Sequence, residues 1–290
     1  MAQYDKLSEA YNCLLRGQLD SAQMMIDKVS NDPSTVKEPF TWYVRGFIYK
    51  ELYKSREMNN KRSPLRLEAL SSFQKSLALD TAAQSRMETM KNIRYIANKF
   101  RNDAALSMDT SNYDLAIENF ENFKKTFRLM DPNYSFLNED AEFNRVIAGV
   151  YSQMAEHGNP MEKEKNFNLS KQAYETAIQL DSTDISSNYN IGVLYYNRAG
   201  HLILDMEYTD LTELDEIQNK TVDLLKQSAP FMIRSRTLIK RKLGDDYFKD
   251  PRIFDVLEAL HNIYIALHED DKAKQVVEEK KALELKRDAK

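Results

Sequence analysis

This 290-residue sequence contains few residues that break helices or cross-link the chain. Glycine and proline number seven each, which disfavours a turn-rich β protein and favours long helices. The single cysteine, Cys13, excludes an intrachain disulfide and a cysteine-rich metal site. No uninterrupted apolar run approaches about 18 residues, so the sequence predicts no transmembrane segment.

The motifs of common catalytic and cofactor sites are also missing. There is no glycine-rich phosphate loop, no GxSxG elbow and no HExxH motif. Glu258 and His261 form a single ExxH motif, whereas di-iron helical bundles need two such motifs and further glutamates. We interpret this motif as a half-buried imidazole beside a surface acid. The sequence therefore predicts no enzyme, no metal and no cofactor.

The charge composition gives no reason to expect a nucleic-acid partner. The chain has 41 basic and 45 acidic residues, a net charge of −4, and 42% of its residues are hydrophobic, which is typical of a soluble globular protein. The basic run Ile233–Gly244 has two interpretations. It is a phosphate-binding patch, with RNA as a candidate ligand, or it is the cationic last turns of a helix ended by Gly244, which we favour.

Apolar residues recur every three to four positions along almost the whole chain, which indicates helices. Two segments, TWYVRGFIYK (41–50) and NYNIGVLYYN (188–197), align so that Gly46 matches Gly192 and Tyr49 matches Tyr195. A glycine inside a helix costs about 0.5–1 kcal/mol relative to alanine. We therefore expect each glycine to accept a bulky side chain of the following helix in close contact.

A second helical pattern places a bulky residue beside small residues. It follows both glycine segments and also occurs elsewhere in the chain. It occurs at Ala69-Phe73-Ser76, Ala116-Phe120-Phe123, Ser170-Tyr174-Ala177 and Ser228-Met232-Ser235, with fainter forms at Ala22-Ile26-Val29 and Ala273-Val277. Together the two patterns resemble the tetratricopeptide repeat (TPR). The resemblance implies an all-α fold, a right-handed α-solenoid of about six antiparallel helix pairs. It also implies one repeat domain over residues 1–290, with pairs at 4–37, 38–81, 82–133, 134–183, 184–249 and 250–286.

The spacing of the repeats exceeds the minimal TPR length of about 34 residues, which predicts that each unit carries longer helices or an inserted loop. We place these loops at 54–64, 157–166 and 198–218. Ser63 and Pro64 are expected to cap the helix that follows the first insertion. Pro230 is expected to kink its helix or to shift the start of that helix.

The resemblance to TPR proteins also implies a binding surface. The first helix of each pair, helix A, lines a concave face that binds extended peptides or partner proteins. Arginine and asparagine suit this role because they bond carboxylates and peptide backbone. The positions implied are Tyr43, Phe47, Lys50, Arg101, Arg145, Tyr189, Tyr196, Asn197 and Asn262. Gly149, Asp255 and Ala259 replace residues of the family's two-carboxylate clamp, so we do not expect chaperone tails as ligands.

The sequence thus predicts a non-enzymatic scaffold that binds a protein or peptide. The alternative is a helical ligand-binding receptor or enzyme that uses the 198–218 insertion as a lid. The last segment, Ala259–Glu284, resembles the closing repeat of bacterial TPR proteins. Together with the start at AQYDK, this favours a periplasmic protein whose leader has been removed, with the cytoplasm as the alternative.

Overall fold

The computed structural model describes residues 2–109, 111–204 and 210–288. These residues form twelve α-helices and no strand. The helices are α1 (Ala2–Leu15), α2 (Leu19–Ser30), α3 (Pro39–Leu52), α4 (Pro64–Leu79), α5 (Arg86–Ala105), α6 (Tyr113–Arg128), α7 (Leu137–Ala155), α8 (Pro160–Leu180), α9 (Ile185–Leu204), α10 (Leu211–Leu243), α11 (Arg252–Ala266) and α12 (Asp270–Asp288). A π-helical turn, Tyr53–Glu57, follows α3, and a 3-10 turn, Gly244–Lys249, follows α10.

Consecutive helices pack as hairpins, from α1 with α2 to α11 with α12. The all-α fold and its six antiparallel pairs are therefore confirmed. The helices group into two compact units, unit 1 (Met1–Ser135) and unit 2 (Phe136–Lys290). Each unit contains three pairs, and its odd-numbered helices are the A helices of those pairs. The interpretation of residues 1–290 as one repeat domain with the pair boundaries given above stays a prediction.

Unit 1 has an apolar core between its pairs. Ile26 of α2 and Ile48 of α3 are fully buried together with Ala10 of α1. The start of α4 is fixed as expected, because Pro64 occupies its first turn and the Ser63 hydroxyl oxygen accepts a hydrogen bond from the Arg66 backbone N–H at 3.1 Å. The π-helical turn carries the helical path of α3 into the segment that we expected to be an inserted loop.

Unit 2 has its core around α11, whose residues Ile253, Val256 and Leu260 are fully buried. The predicted insertion at 157–166 is wrong for most of its length, because α8 begins at Pro160. Asn159 accepts a hydrogen bond from the Glu162 backbone N–H, and the Glu162 side chain accepts one from the Asn159 backbone N–H, both at 3.0 Å. This reciprocal capping box starts the helix where we expected a loop.

The predicted insertion at 198–218 needs a similar correction. Residues 198–204 belong to α9 and residues 211–218 belong to α10, while 205–209 lie outside the described residues. The described parts of this segment thus lengthen a hairpin and do not form a loop.

Pro230 does not shift the start of α10, which runs from Leu211 to Leu243 with the proline inside it. Lys226, four residues earlier, is exposed, so the carbonyl that loses its helical partner can bond water. None of the described helices combines the length and the apolar character needed to span a bilayer.

Candidate partner-binding surface

Close contacts at glycine fix how α3 faces α4 and how α9 faces α10. A Cβ built on Gly46 would stand 2.6 Å from a ring carbon of Phe73, and one built on Gly192 would stand 3.1 Å from the Met232 side chain. The Ser228 hydroxyl donates to the Gly192 carbonyl at 2.8 Å. The expected close approach at both glycines is confirmed. It leaves another face of α3 and α9 available to the A helices beside them.

In unit 1 four aromatic residues of α1 and α3 form a continuous row, here called the aromatic run: Tyr11, Phe40, Tyr43 and Phe47. Successive ring centroids lie 6.4, 5.9 and 6.2 Å apart, within the range of favourable aromatic pairs. Phe40 is 48% exposed and Tyr11 is 36% exposed. Tyr43 and Phe47 are half-buried, and Tyr43 also lies 6.3 Å from the Phe73 ring. The row is therefore anchored in the core and open to solvent at one end.

Lys50 follows the aromatic run on α3 and is only 9% exposed. Its ammonium lies 3.8 Å from the Phe47 ring centroid and donates to Asn92 Oδ1 on α5 at 2.7 Å. Glu51 lies 3.2 Å from the same ammonium. Burial lowers the pKa of Lys50, and the carboxylate of Glu51 opposes that effect. The structure thus places Lys50 as a link between α3 and α5 at the base of the surface.

Two further lysines surround Tyr95 of α5, and with Lys50 they form what we call the lysine cluster. The ammonium groups of Lys50 and Lys99 each lie 5.9 Å from the Tyr95 ring centroid. Lys54 is exposed and lies 2.8 Å from Glu51. Burial raises the pKa of Tyr95, while the charge of Lys54 acts to lower it. The aromatic run and the lysine cluster therefore adjoin along α3.

In unit 2 Arg145 of α7 faces the start of α9. Its Nε lies 3.8 Å from Asp184 Oδ2. The two residues line an open cavity of about 220 Å³ together with Asn138, Ala141, Glu142, Ala177, Asp181 and Ser187. A guanidinium at the edge of a polar hollow can bond a peptide carbonyl, while the three acids of the lining, Glu142, Asp181 and Asp184, disfavour a carboxylate there.

Three of the predicted residues link α9 to α11. The Tyr189 hydroxyl donates to Asp255 Oδ2 at 3.0 Å, and Asn262 Nδ2 donates to the Tyr196 hydroxyl at 2.8 Å. Burial, reinforced by the Asp255 carboxylate, raises the pKa of Tyr189 to about 12. These bonds hold the polar side chains of two neighbouring A helices on a common face.

The remaining predicted residues, Arg101 on α5 and Asn197 on α9, are exposed. The structure adds residues that sequence reasoning missed: Tyr11, Phe40, Asn92, Tyr95 and Lys99. The sequence did contain a signal for Phe40. It lies three residues before Tyr43, and Phe47 lies four residues after Tyr43, which places all three on one face of a helix. The others belong to neighbouring A helices, whose register against α3 the sequence does not show.

The ExxH motif has no metal-site geometry. Glu258 pairs with Lys280 at 3.0 Å, and both line an open cavity of about 340 Å³ with His261. Among the residues that the structure describes, no group of three histidine, cysteine or acidic side chains is arranged to hold a metal ion.

No protein-family model and no curated protein matches the chain. Among solved structures, the crystal structure at 2.5 Å of the P58(IPK) TPR domain matches 98% of this chain and 84% of that chain, with 16% identity and a TM-score of 0.27. A likeness this low adds no support. The all-α fold of six antiparallel pairs is compatible with the resemblance to TPR proteins that the sequence predicts.

Proposed function

We propose that the chain is a non-enzymatic scaffold that binds a segment of a partner protein along its A helices. The aromatic run carries this proposal. Exposed aromatic side chains that form a contiguous, anchored row are typical of binding surfaces, since they supply large contact area with little loss of side-chain entropy.

The polar residues of unit 2 support the same assignment. Asn262 is exposed while its amide is oriented by the Tyr196 hydroxyl, and Arg145 borders an open cavity. Oriented amide and guanidinium groups bond a peptide main chain or a carboxylate at lower entropic cost than mobile ones. Partner recognition through A helices therefore suits both units, each considered by itself.

The alternative function, a receptor or enzyme with residues 198–218 as its lid, has no comparable observation in its favour. The described residues of that segment belong to α9 and α10, apart from Asp210, which caps α10. A lid needs a hinge, and the described helical residues of this segment offer none. We therefore prefer the scaffold to the receptor or enzyme.

The experiment is a quantitative capture of partners by the tagged full chain in its own cell. Phe40→Ser removes an exposed ring of the aromatic run, and Leu67→Ser on α4 is its control, since Leu67 is 49% exposed. We expect Phe40→Ser to reduce capture of a specific partner about tenfold, as loss of a hot-spot residue does, and Leu67→Ser to leave it unchanged. Equal capture by both variants and by an Arg101→Glu/Arg145→Glu variant, all folded, would show that the A helices are not the binding surface.

A further inference from the structure

The surface of unit 1 has two chemically different ends, and we infer from them the kind of segment that it binds. The segment is extended and carries an apolar side chain and, about six residues away, an aspartate or glutamate. This inference rests on the proposed function and adds the chemical class of the partner.

The apolar end is the aromatic run. Phe40 and Tyr43 stack with an interplanar angle of 20°, and Phe40 contributes the most exposed ring of the four. A leucine or an aromatic side chain that covers these rings removes apolar surface from water, at about 25 cal/mol for each Å² buried. Phe40 and Tyr43 lie one helical turn apart on α3, so a single bulky side chain of the partner can contact both rings.

The other end is the lysine cluster. It brings three ammonium groups near Tyr95, and Glu51 is the acid that pairs with two of them, Lys50 and Lys54. The local charge of these four groups is therefore about +2. Since Lys50 is buried against Asn92, the exposed Lys54 and the half-buried Lys99 are the groups that a carboxylate would reach.

Charge also decides at which end of the surface the acid of the segment lies. Glu88 of α5 acts on Tyr43 electrostatically, raising the pKa of that phenol in addition to the larger effect of burial. Glu88 is itself ion-paired with Lys91 at 2.6 Å. A carboxylate of the partner is thus favoured beside Lys54 and Lys99 and is not favoured beside the aromatic run.

The separation of the two ends gives the spacing in the partner. Phe40 and Lys54 lie on one helical path, which rises roughly 1.5 Å per residue, so they are roughly 20 Å apart along it. An extended peptide covers about 3.3 Å per residue. About six residues of partner therefore separate the apolar side chain from the acid.

The acid is a side chain within the segment rather than a chain terminus. Terminal carboxylates are commonly captured by backbone N–H groups arranged as a nest. Tyr95 and Lys99 lie in the interior of α5, where the backbone N–H groups already bond within the helix. The cluster offers side-chain ammonium groups and no such nest, so it lacks the element that would select a chain terminus over a mid-chain aspartate or glutamate.

The experiment is selection of peptides from a random display library of about 12 residues by the full chain, followed by affinity measurements on synthetic peptides. We expect enrichment of an apolar residue and an acid at the stated spacing. A Lys54→Glu/Lys99→Glu variant should bind such a peptide about tenfold more weakly. The control variant, Lys28→Glu/Lys125→Glu, makes the same charge change at two exposed helix-B lysines of unit 1 and should bind normally.

Three outcomes would overturn the inference: no enrichment, enriched peptides without an acid, or equal binding by both double variants. If binding still depends on Phe40 in the last two cases, the proposed function stands and only the acidic specificity is wrong. If Phe40→Ser also has no effect on peptide or partner, the proposed function fails as well. Peptides with a C-terminal amide should bind as well as those with a free terminus. A strict need for the free terminus would contradict the mid-chain acid.

Discussion

Phe73 of α4 lies against Gly46 of α3 so closely that any side chain on Gly46 would overlap the ring. The distance from a built Cβ to ring carbon Cδ1 is 2.6 Å, and Phe73 is fully buried. Since the ring is rigid and packed on all sides, neither partner can yield without moving a helix. This contact sets the separation of α3 and α4 and thereby the position of the aromatic run.

The first prediction concerns that contact. Gly46→Ala should lower the free energy of unfolding by about 1–2 kcal/mol, because an overpacking cost of about 1–3 kcal/mol exceeds the gain in helix propensity. Gly200→Ala is the control, since no atom lies within 4 Å of its added Cβ. That variant should gain about 0.5–1 kcal/mol. Urea unfolding of both variants measures the change in the free energy of unfolding, which should fall for Gly46→Ala and rise for Gly200→Ala. Destabilisation of Gly200→Ala alone would refute the close contact between Gly46 and Phe73.

A second prediction separates the two repeat glycines. The atoms nearest to a Cβ on Gly192 belong to the flexible Met232 side chain, at 3.1 to 3.2 Å. Methionine can adopt another rotamer, so Gly192→Ala should cost less than Gly46→Ala. Gly192→Leu should cost about 1–3 kcal/mol or more. An unchanged melting temperature for Gly192→Leu would mean that α9 and α10 do not pack as described.

The third prediction concerns a buried charge that joins three helices of unit 1. Arg66 of α4 is 1% exposed and donates to Asp103 of α5 at 2.5 Å and to Asn119 of α6 at 3.3 Å. Arg66→Ala should destabilise the chain by about 3–5 kcal/mol, because it leaves the Asp103 carboxylate buried without its partner.

Two further variants test whether the cost of Arg66→Ala comes from the unpaired buried carboxylate. One removes both buried charges, and the other breaks an exposed ion pair. Arg66→Met with Asp103→Leu removes both charges and should recover much of the stability. Arg62→Ala breaks an exposed ion pair with Glu118 and should change stability little. If Arg62→Ala and Arg66→Ala prove equal in urea unfolding, the network around Arg66 has no structural role.

A fourth prediction uses pH. Burial acts to raise the pKa of Glu279 of α12, but hydrogen bonds from Lys240 and Arg236 of α10 outweigh burial and hold that pKa below its usual value of 4.5. A carboxyl group whose pKa is lowered in the folded state stabilises the fold at pH values above its unfolded-state pKa. That contribution is lost as the pH falls through the folded-state pKa.

Glu279→Gln should therefore be less stable than the unchanged chain near pH 7, and the difference should shrink below about pH 4.5. Unfolding free energies measured between about pH 7 and pH 3 test this. Glu258→Gln is the control, since it removes an exposed acid that pairs with Lys280. A difference that is independent of pH would mean that the Glu279 ion pairs do not form.

The sequence predicted the pairing of helices well, because that pairing depends on local features. The period of the apolar residues and the placement of Gly46 and Gly192 are visible without knowledge of the fold. The helical parts of 157–166 and 198–218 were missed for a different reason. The long repeat spacing fits a loop and a longer helix equally well, and the capping pair Asn159 and Glu162 is the local signal that starts α8 at Pro160.

The polar contacts between pairs were beyond sequence reasoning. Arg66 finds its partners 37 and 53 residues away, and Lys50 finds Asn92 at a distance of 42 residues. Such contacts depend on the register between neighbouring helices, which periodicity alone leaves open. For the same reason Tyr11 of α1 was not predicted as part of the aromatic run, whereas Phe40 shares a helical face with the predicted Tyr43 and Phe47 and could have been included.

The most direct measurement of the central claim is photo-crosslinking of the partner in the native cell. A photoreactive benzoylphenylalanine replaces Phe40 of α3 or Leu67 of α4 in otherwise unchanged chains; the two positions are 48% and 49% exposed. The account predicts a specific crosslinked partner from position 40 and none from position 67. A partner captured from position 67 but not from position 40 would contradict it.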